Sequence, residues 1–339
     1  MNAEVDSAEI LNLIHGHLDR SWHAVTQDEL VIKKIAFGFI NRNYVIERRD
    51  GQKVLLKLYG GNVAADEADI TLSMEQEILT CATWSRIGSG PKLLAVFPGG
   101  RMEEFIESHT IIPSEYQDPG IRRQLAKAIA TFHSLDLPFR RPAFDFPRLL
   151  MRMFRDFVSH EKERIIRNPV FKEKNVDISR LANYDFASDL KWLKVALTEE
   201  HNRMVYTHGD LHGHNILIRS KDGTPVLIDL QESGYNWRGR DLGLFLISSV
   251  IDMSSMSVAR FPFPSPEYCF AFFDDYMEQI QELALFPDID RKGRDSNEHL
   301  MMETLMGGMA SVMYVILLIM NRHEKMMTAT PDLAVSTNA

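Results

Sequence analysis

Three oxygen-bearing side chains, set close together in the sequence, define the chemistry it could do. Asp210 and Asn215 lie five residues apart in HGDLHGHN, and Asp229 follows at the end of the apolar run VLID. Phosphoryl transfer needs such a set. One carboxylate orients and deprotonates an attacking hydroxyl, and further oxygen ligands hold a divalent cation that bridges nucleotide phosphates. Asp210 reads as the base, with Asn215 and Asp229 as the Mg²⁺ ligands. An HxD triplet alone would say little, because Asp is common in turns as a local hydrogen-bonding residue. The order and spacing of all three groups carry the argument.

The elements that must position these groups can be read around them. Residues 205–206 end a buried strand, and His208, Gly209 and Asp210 form a turn that aims the carboxylate into a cleft. Residues 216–218 and 226–228 read as two strands joined across Asp222-Gly223, which leaves Asp229 where the second strand ends. Asp241, in RGRDLG, has two open readings: a residue that braces the catalytic turn together with His208, or the N-cap of an apolar helix from Leu242.

Upstream, strands at 30–35 and 44–47 flank the loop AFGFINRN, and a strand at 54–59 carries Lys57 between Leu56 and Leu58. A hairpin turn over the triphosphate, followed by a strand lysine on the phosphates, is a kinase-like way to hold ATP. Gly38 and Asn41 are the loop's candidate nucleotide contacts, Gly38 because it lets backbone approach phosphate. Lys57 could equally be a solvent-facing strand lysine. A helix over 66–87 offers Glu77 as its partner, with Glu75 as the second choice. Strands at 93–97 and 102–106 then flank the turn PGGR, and a hinge after Glu103 would present main chain to adenine near Glu104 and Ile106.

From there the apolar period becomes helical. IRRQLAKAIATFHSL at 121–135 has one apolar face and stops before Pro138. Helices continue through 147–200, an aromatic-rich helix spans 268–285, and the tail from Thr328 reads as disordered. The expected fold class is α+β and bilobal: a small β-rich nucleotide lobe at 1–103 and a larger, mainly α-helical catalytic and acceptor lobe at 104–339.

Composition narrows the partners. The chain has 339 residues, 45% hydrophobic, with a net charge of -9, and no Lys/Arg run long enough for a nucleic-acid track or a polybasic membrane patch. Cys81 and Cys269 lack CxxC spacing, so neither a disulfide framework nor a zinc site is indicated. The acidic MNAEVDSAEI has no signal-peptide pattern, and a cytoplasmic protein is expected. Residues 304–320 are uncharged but number 17, short of the roughly 20 that a membrane span needs, so a buried helix is expected there.

Together these blocks resemble the choline/ethanolamine kinase family, within the wider group that includes aminoglycoside phosphotransferases. FGFINRNYVI resembles its phosphate loop, VLLKLYG its lysine strand, EQEI its helix glutamate and FPGGRMEEFIES its hinge. LAKAIATFHSLDLPF resembles the helix before the substrate lobe, and HGDLHGHNILI and LIDLQESGYNWRGRDLG the catalytic and metal blocks. The resemblance implies a protein-kinase-like fold, ATP as co-substrate with Mg²⁺, and an amino-alcohol acceptor whose phosphomonoester enters phospholipid synthesis. It implies no nucleic acid and no stable membrane insertion, and it is compatible with a homodimer. A phosphotransferase for another aminated molecule, such as an aminoglycoside, and a non-catalytic kinase-like scaffold are the alternative readings.

The chain also departs from the family pattern. Phe37 stands where the phosphate loop has a first glycine, Ile40 where it has Ser or Thr, and Gln231 where a glutamate stands near the second metal. In choline kinases an aromatic cage holds the quaternary ammonium, because ring faces attract a cation with no N–H to donate. An ungapped register puts Gly307 and Ala310 at the cage tryptophans and Glu232 at a cage tyrosine. Glu232 and Trp237 are therefore the acceptor-site candidates, in a pocket suited to a primary amine. A slipped register would instead let Tyr314, Trp237 and Tyr276 form the cage.

Overall fold

The computed structural model describes residues 6–35, 41–60, 71–143, 145–169, 173, 178–197, 202–252, 257–258 and 263–329. The phosphate-loop residues Phe37, Gly38 and Ile40 lie outside these, as do 330–339 of the expected tail. The helix that reaches the tail runs to Ala329, past Thr328.

The N-terminal part is a five-stranded antiparallel sheet of β1 (Leu30–Ile35), β2 (Arg42–Arg48), β3 (Lys53–Leu58), β4 (Leu93–Phe97) and β5 (Gly100–Glu104). Their order is β1-β2-β3-β5-β4. Alternation decides which face each side chain takes. Val54, Leu56 and Leu58 of β3 join Tyr44 and Ile46 of β2 and Ile10 and Ile14 of helix Ser7–His17 in one apolar cluster. The intervening position sends Lys57 to the opposite face, where Arg101 of β5 is its cross-strand partner.

Helix Met74–Arg86 follows, N-capped by Ser73, whose side chain accepts from the Gln76 amide in a capping box. That cap corrects the expected start near residue 66: Thr71 to Ser73 are not helical, and 61–70 lie outside the described residues.

The C-terminal part is mainly helical, and the fold is mixed α+β and bilobal. β6 (Ser108–Thr110) pairs with β8 (Ile216–Arg219), which pairs with β9 (Pro225–Leu227), while β7 (Met204–Thr207) pairs with β10 (Gly234–Trp237). Helices Pro119–His133, Arg238–Ser248 and Pro266–Glu282 pack around these ribbons, and Phe132, Phe245, Phe272 and Tyr206 are fully buried among them. A second apolar cluster joins helices Phe146–Asp156, Phe186–Ala196 and Asn297–Ala329.

Two features fix the long C-terminal helix. Arg238 is fully buried, with Nε 2.6 Å from Glu303 Oε2 and Nη1 2.9 Å from Asp295 Oδ1, while Arg203 Nη2 reaches Asp295 Oδ2 at 2.7 Å. Small residues also bring two helices into backbone contact: a Cβ on Gly307 would lie 2.0 Å from Gly239 O, and one on Gly243 would lie 2.1 Å from Gly308 N. The window Asn297–Asn321 is long and apolar enough to cross a membrane by length and composition, and 56% of it is buried inside the protein.

Candidate active site

The catalytic turn begins where β7 ends. Gly209 adopts φ +87° and presses against Glu232, whose carbonyl oxygen would lie 2.0 Å from any added Cβ. Such a turn needs glycine. Asp241 braces it from below: its carboxylate accepts from the His208 amide at 2.6 Å, the Gly209 amide at 2.9 Å and His133 Nε2 at 3.1 Å. Of the two sequence readings of Asp241, the bracing one describes this geometry. Helix Arg238–Ser248 starts earlier than expected, with Trp237 at its N-cap, so Asp241 caps nothing. His208 is fully buried and its Nε2 donates to Ile228 O at 2.8 Å, tying the turn to the chain just before Asp229.

Asp210 and Asn215 meet directly. Asn215 Nδ2 donates to Asp210 O at 2.8 Å and to Asp210 Oδ2 at 3.1 Å. His212 Nε2 stands 3.3 Å from the same carboxylate oxygen. Burial raises the Asp210 pKa, but the nearby His212, His208 and Arg240 outweigh it and hold the carboxyl well below the usual carboxylate range. Asp229 follows β9 in a left-handed conformation, φ 62°, unusual for a residue other than glycine.

The other sheet face completes the cluster. Lys57 Nζ lies 3.0 Å from Glu77 Oε1 and 2.9 Å from Asp229 Oδ1. The expected lysine–glutamate pair is therefore made by Glu77, while Glu75 is exposed and takes a hydrogen bond from Ser73 Oγ. Lys57 is 5% exposed, so it is not a solvent-facing strand lysine. Burial alone would lower its pKa, but Asp229 and Glu77 more than reverse this, and the ammonium stays charged. Arg101, which the sequence reading passed over, places Nη1 2.7 Å from Glu77 Oε1 and also pairs with Glu103.

Asn41 spans the cleft, with Nδ2 3.1 Å from Gln231 Oε1 and Oδ1 accepting from the Gly60 amide. Glu104 commits its amide to Lys92 O, and Ile106 is buried with its carbonyl accepting from Ser108 Oγ. Among the described residues no group of three or more His, Cys, Asp and Glu side chains forms a metal-binding cluster. The oxygen donors Asp229 and Asn215 are few and hard, as suits a cation that keeps waters and phosphate oxygens as its other ligands.

The profile of the choline/ethanolamine kinase family matches residues 32–329. The chain belongs to this family. Choline kinase alpha of Mus musculus is 25% identical over 300 residues, covering 78% of this chain and 64% of that protein. Choline kinase B1 of Caenorhabditis elegans is 32% identical over 241 residues, covering 69% of this chain and 62% of that protein. The chain thus spans somewhat under two thirds of each relative's length. A solved choline kinase from Cryptosporidium parvum superposes with a TM-score of 0.68 at 17% identity, covering 97% of this chain and 94% of that one, a likeness of fold.

Gly307 lies in the helix–helix contact with Gly239 and Ala310 is fully buried in the second apolar cluster, so neither position lines a cage. Tyr276 is fully buried and its hydroxyl is bonded to His133 Nδ1 at 2.8 Å, which removes it from the slipped-register alternative. Tyr314 and Trp237 pack with the same second cluster, Tyr314 beside Phe146. Glu232 faces Arg240, Oε2 to Nη2 at 3.5 Å, and the guanidinium carbon of Arg240 sits 4.9 Å from the Phe146 ring centroid. Burial and the negative charges of Asp210 and Asp229 push the Glu232 carboxyl up to about 8, against the pull of Arg240.

Proposed function

We propose that this protein is an ATP-dependent small-molecule kinase that phosphorylates the hydroxyl of an amino alcohol of the choline/ethanolamine type. The observation that supports this best is the gathering of Asp210, Asn215, Asp229, Lys57 and Glu77 into one cluster across the cleft, each within hydrogen-bonding distance of another. The acceptor hydroxyl oxygen bonds to the γ-phosphorus, the bond from that phosphorus to the ADP oxygen breaks, and the hydroxyl proton passes to Asp210. Asn215 fixes Asp210 through its amide nitrogen, and its side-chain carbonyl oxygen is the atom that would serve as a ligand. Lys57 steadies the phosphates while Glu77, itself bonded by Arg101, holds it in place. Mg²⁺, held by Asp229 and Asn215, would neutralise the charge that develops on the phosphate oxygens. Gly38, Asn41 and the main chain beyond Glu104, near Ile106, complete the ATP site.

Glu232 supports a primary amine over a trimethylammonium group. A carboxyl oxygen accepts N–H hydrogen bonds, whereas a quaternary cation needs ring faces. Ethanolamine is therefore the preferred member of the pair. The product would feed phospholipid synthesis from a cytoplasmic enzyme, the partly buried C-terminal helix serving as core rather than as a membrane span, with chain self-association checked by light scattering. The decisive assay is ADP release with Mg-ATP against ethanolamine, choline and an aminoglycoside panel, beside Asp210→Asn. Turnover with an amino alcohol that the substitution abolishes supports the reading, and a choline kcat/KM above that of ethanolamine removes the amine preference. ATP binding without turnover on any acceptor would favour a non-catalytic scaffold.

A further inference from the structure

Asn215 is not the only donor at the Asp210 carboxylate. His212 precedes the short helical turn Gly213–Asn215, and its Nδ1 accepts from the His214 amide at 3.2 Å. That bond decides the tautomer: in the neutral ring the hydrogen sits on Nε2. Nε2 lies 3.3 Å from Asp210 Oδ2, the same oxygen that takes a hydrogen bond from Asn215 Nδ2 at 3.1 Å. The Asn215 amide spends its other hydrogen on Asp210 O at 2.8 Å. The two nitrogens, 3.4 Å apart, therefore converge on Oδ2 as donors rather than bonding each other. Asp210 Oδ1 receives no hydrogen bond among the described residues, and the side chain is 32% exposed.

We propose that His212 is a positioning residue: with Asn215 it pins Asp210 Oδ2, and thereby makes Oδ1 the oxygen that meets the acceptor hydroxyl. This rests on the phosphotransferase reading and deepens it by giving the two carboxylate oxygens different tasks. The last torsion of an aspartate is broad and nearly two-fold, so an untethered carboxylate swings and exchanges its oxygens. Two donors on one oxygen hold its plane still. The backbone of the turn is already fixed through Asp241 on the His208 and Gly209 amides, which leaves the side-chain torsion as the freedom that His212 removes. His212 is itself held, by the His214 amide on Nδ1 and by the His214 ring edge-on to its own, centroids 5.8 Å apart. In the transfer the hydroxyl oxygen bonds to the γ-phosphorus, the hydroxyl proton passes to Oδ1, and ADP leaves with the electron pair of the broken bond. His212 gives up no proton and keeps its N–H on Oδ2. A misaimed base costs rate rather than binding, because its contact with the moving proton is made only as the transition state is reached.

The test is steady-state ADP release by the full chain with Mg-ATP and ethanolamine, choline or an aminoglycoside panel, comparing His212→Met with His212→Gln on the acceptor that turns over. The two side chains have similar length, and only glutamine ends in an N–H donor. The expected result for His212→Met is a kcat lower by roughly tenfold or more, with KM for ATP and for the acceptor within about threefold of the parent. His212→Gln should recover most of that loss. Should His212→Met fail to fold, His212→Leu removes the same donor, and the same split between kcat and KM is required of it. An unchanged kcat in a folded donor-free variant, an equal loss in His212→Gln, or a loss confined to KM overturns the proposal while leaving the kinase reading in place. No turnover by the parent protein on any of these acceptors overturns both.

Discussion

Lys57 Nζ stands 2.9 Å from Asp229 Oδ1 and so joins β3 of the N-terminal sheet directly to the chain that follows β9. The same ammonium bonds Glu77 on helix Met74–Arg86, and one side chain thus ties three elements together. Lys57→Met should leave two carboxylates without their shared cation. The expected outcome is a loss of about 3 kcal/mol in unfolding free energy, the usual cost of breaking a buried pair, with a raised KM for ATP. Denaturant unfolding and nucleotide titration measure the two effects separately.

Asp241 tests whether the brace under the catalytic turn matters for rate. Asp241→Asn keeps the shape but can accept through only one oxygen, and it turns an amide N–H towards the His208 or Gly209 amide. Turnover should fall roughly 10- to 100-fold, matching about 1–3 kcal/mol for an unsatisfied buried partner, while ATP affinity stays near that of the parent protein. An unchanged kcat would place Asp241 in the fold alone.

Gly209→Ala challenges the turn itself. The new methyl group would meet Glu232 O at 2.0 Å in a left-handed backbone, so either the turn or the Glu232 segment must move. Destabilisation of about 2–3 kcal/mol and near-complete loss of activity are expected. Recovery of full activity by a folded Gly209→Ala protein would contradict this packing.

Asp295 gives a pH-dependent signature of the network beneath the long helix. Burial raises its pKa, but Arg203 and Arg238 prevail and bring it down from 3.8 to about 2. A depressed carboxylate stabilises the folded state above its unfolded pKa and loses that contribution as pH falls through the folded value. The shift is worth about 2 kcal/mol. The stability gap between the parent and Asp295→Asn should therefore be full at pH 6 and shrink steadily between about pH 4 and 2. A gap independent of pH over that range would show that the ion pair contributes nothing.

The parts of this site legible in the sequence are those set by local rules. The β8–β9 hairpin follows from alternation around Asp222-Gly223, and the placement of Lys57 from the two-residue period of its strand. Arg101 was not legible because its role comes from the register of β3 against β5, strands separated by a whole helix and β4. Neither was Arg240, whose meaning depends on Phe146 and Glu232 arriving from distant segments. The start of helix Met74–Arg86 was misread because the polar and small residues before Ser73 suit a helix as well as a loop, and only the cap decides between them. The small residues Gly307 and Ala310, which the register sets against the family's cage tryptophans, have a packing reason that the sequence does not show: Gly307 lies where two helices meet and Ala310 is buried in the second apolar cluster.

That meeting of helices limits how this protein could acquire a new substrate. Where Gly239 and Gly243 lie against Gly307 and Gly308, the partition between the two helices is main chain on main chain, and no larger side chain fits without prising them apart. Enlarging a residue there would be paid in fold stability before it altered recognition. Selection on substrate choice is thereby channelled into side chains outside this contact. Relatives that act on different acceptors should differ at those positions while their glycine partition stays as it is.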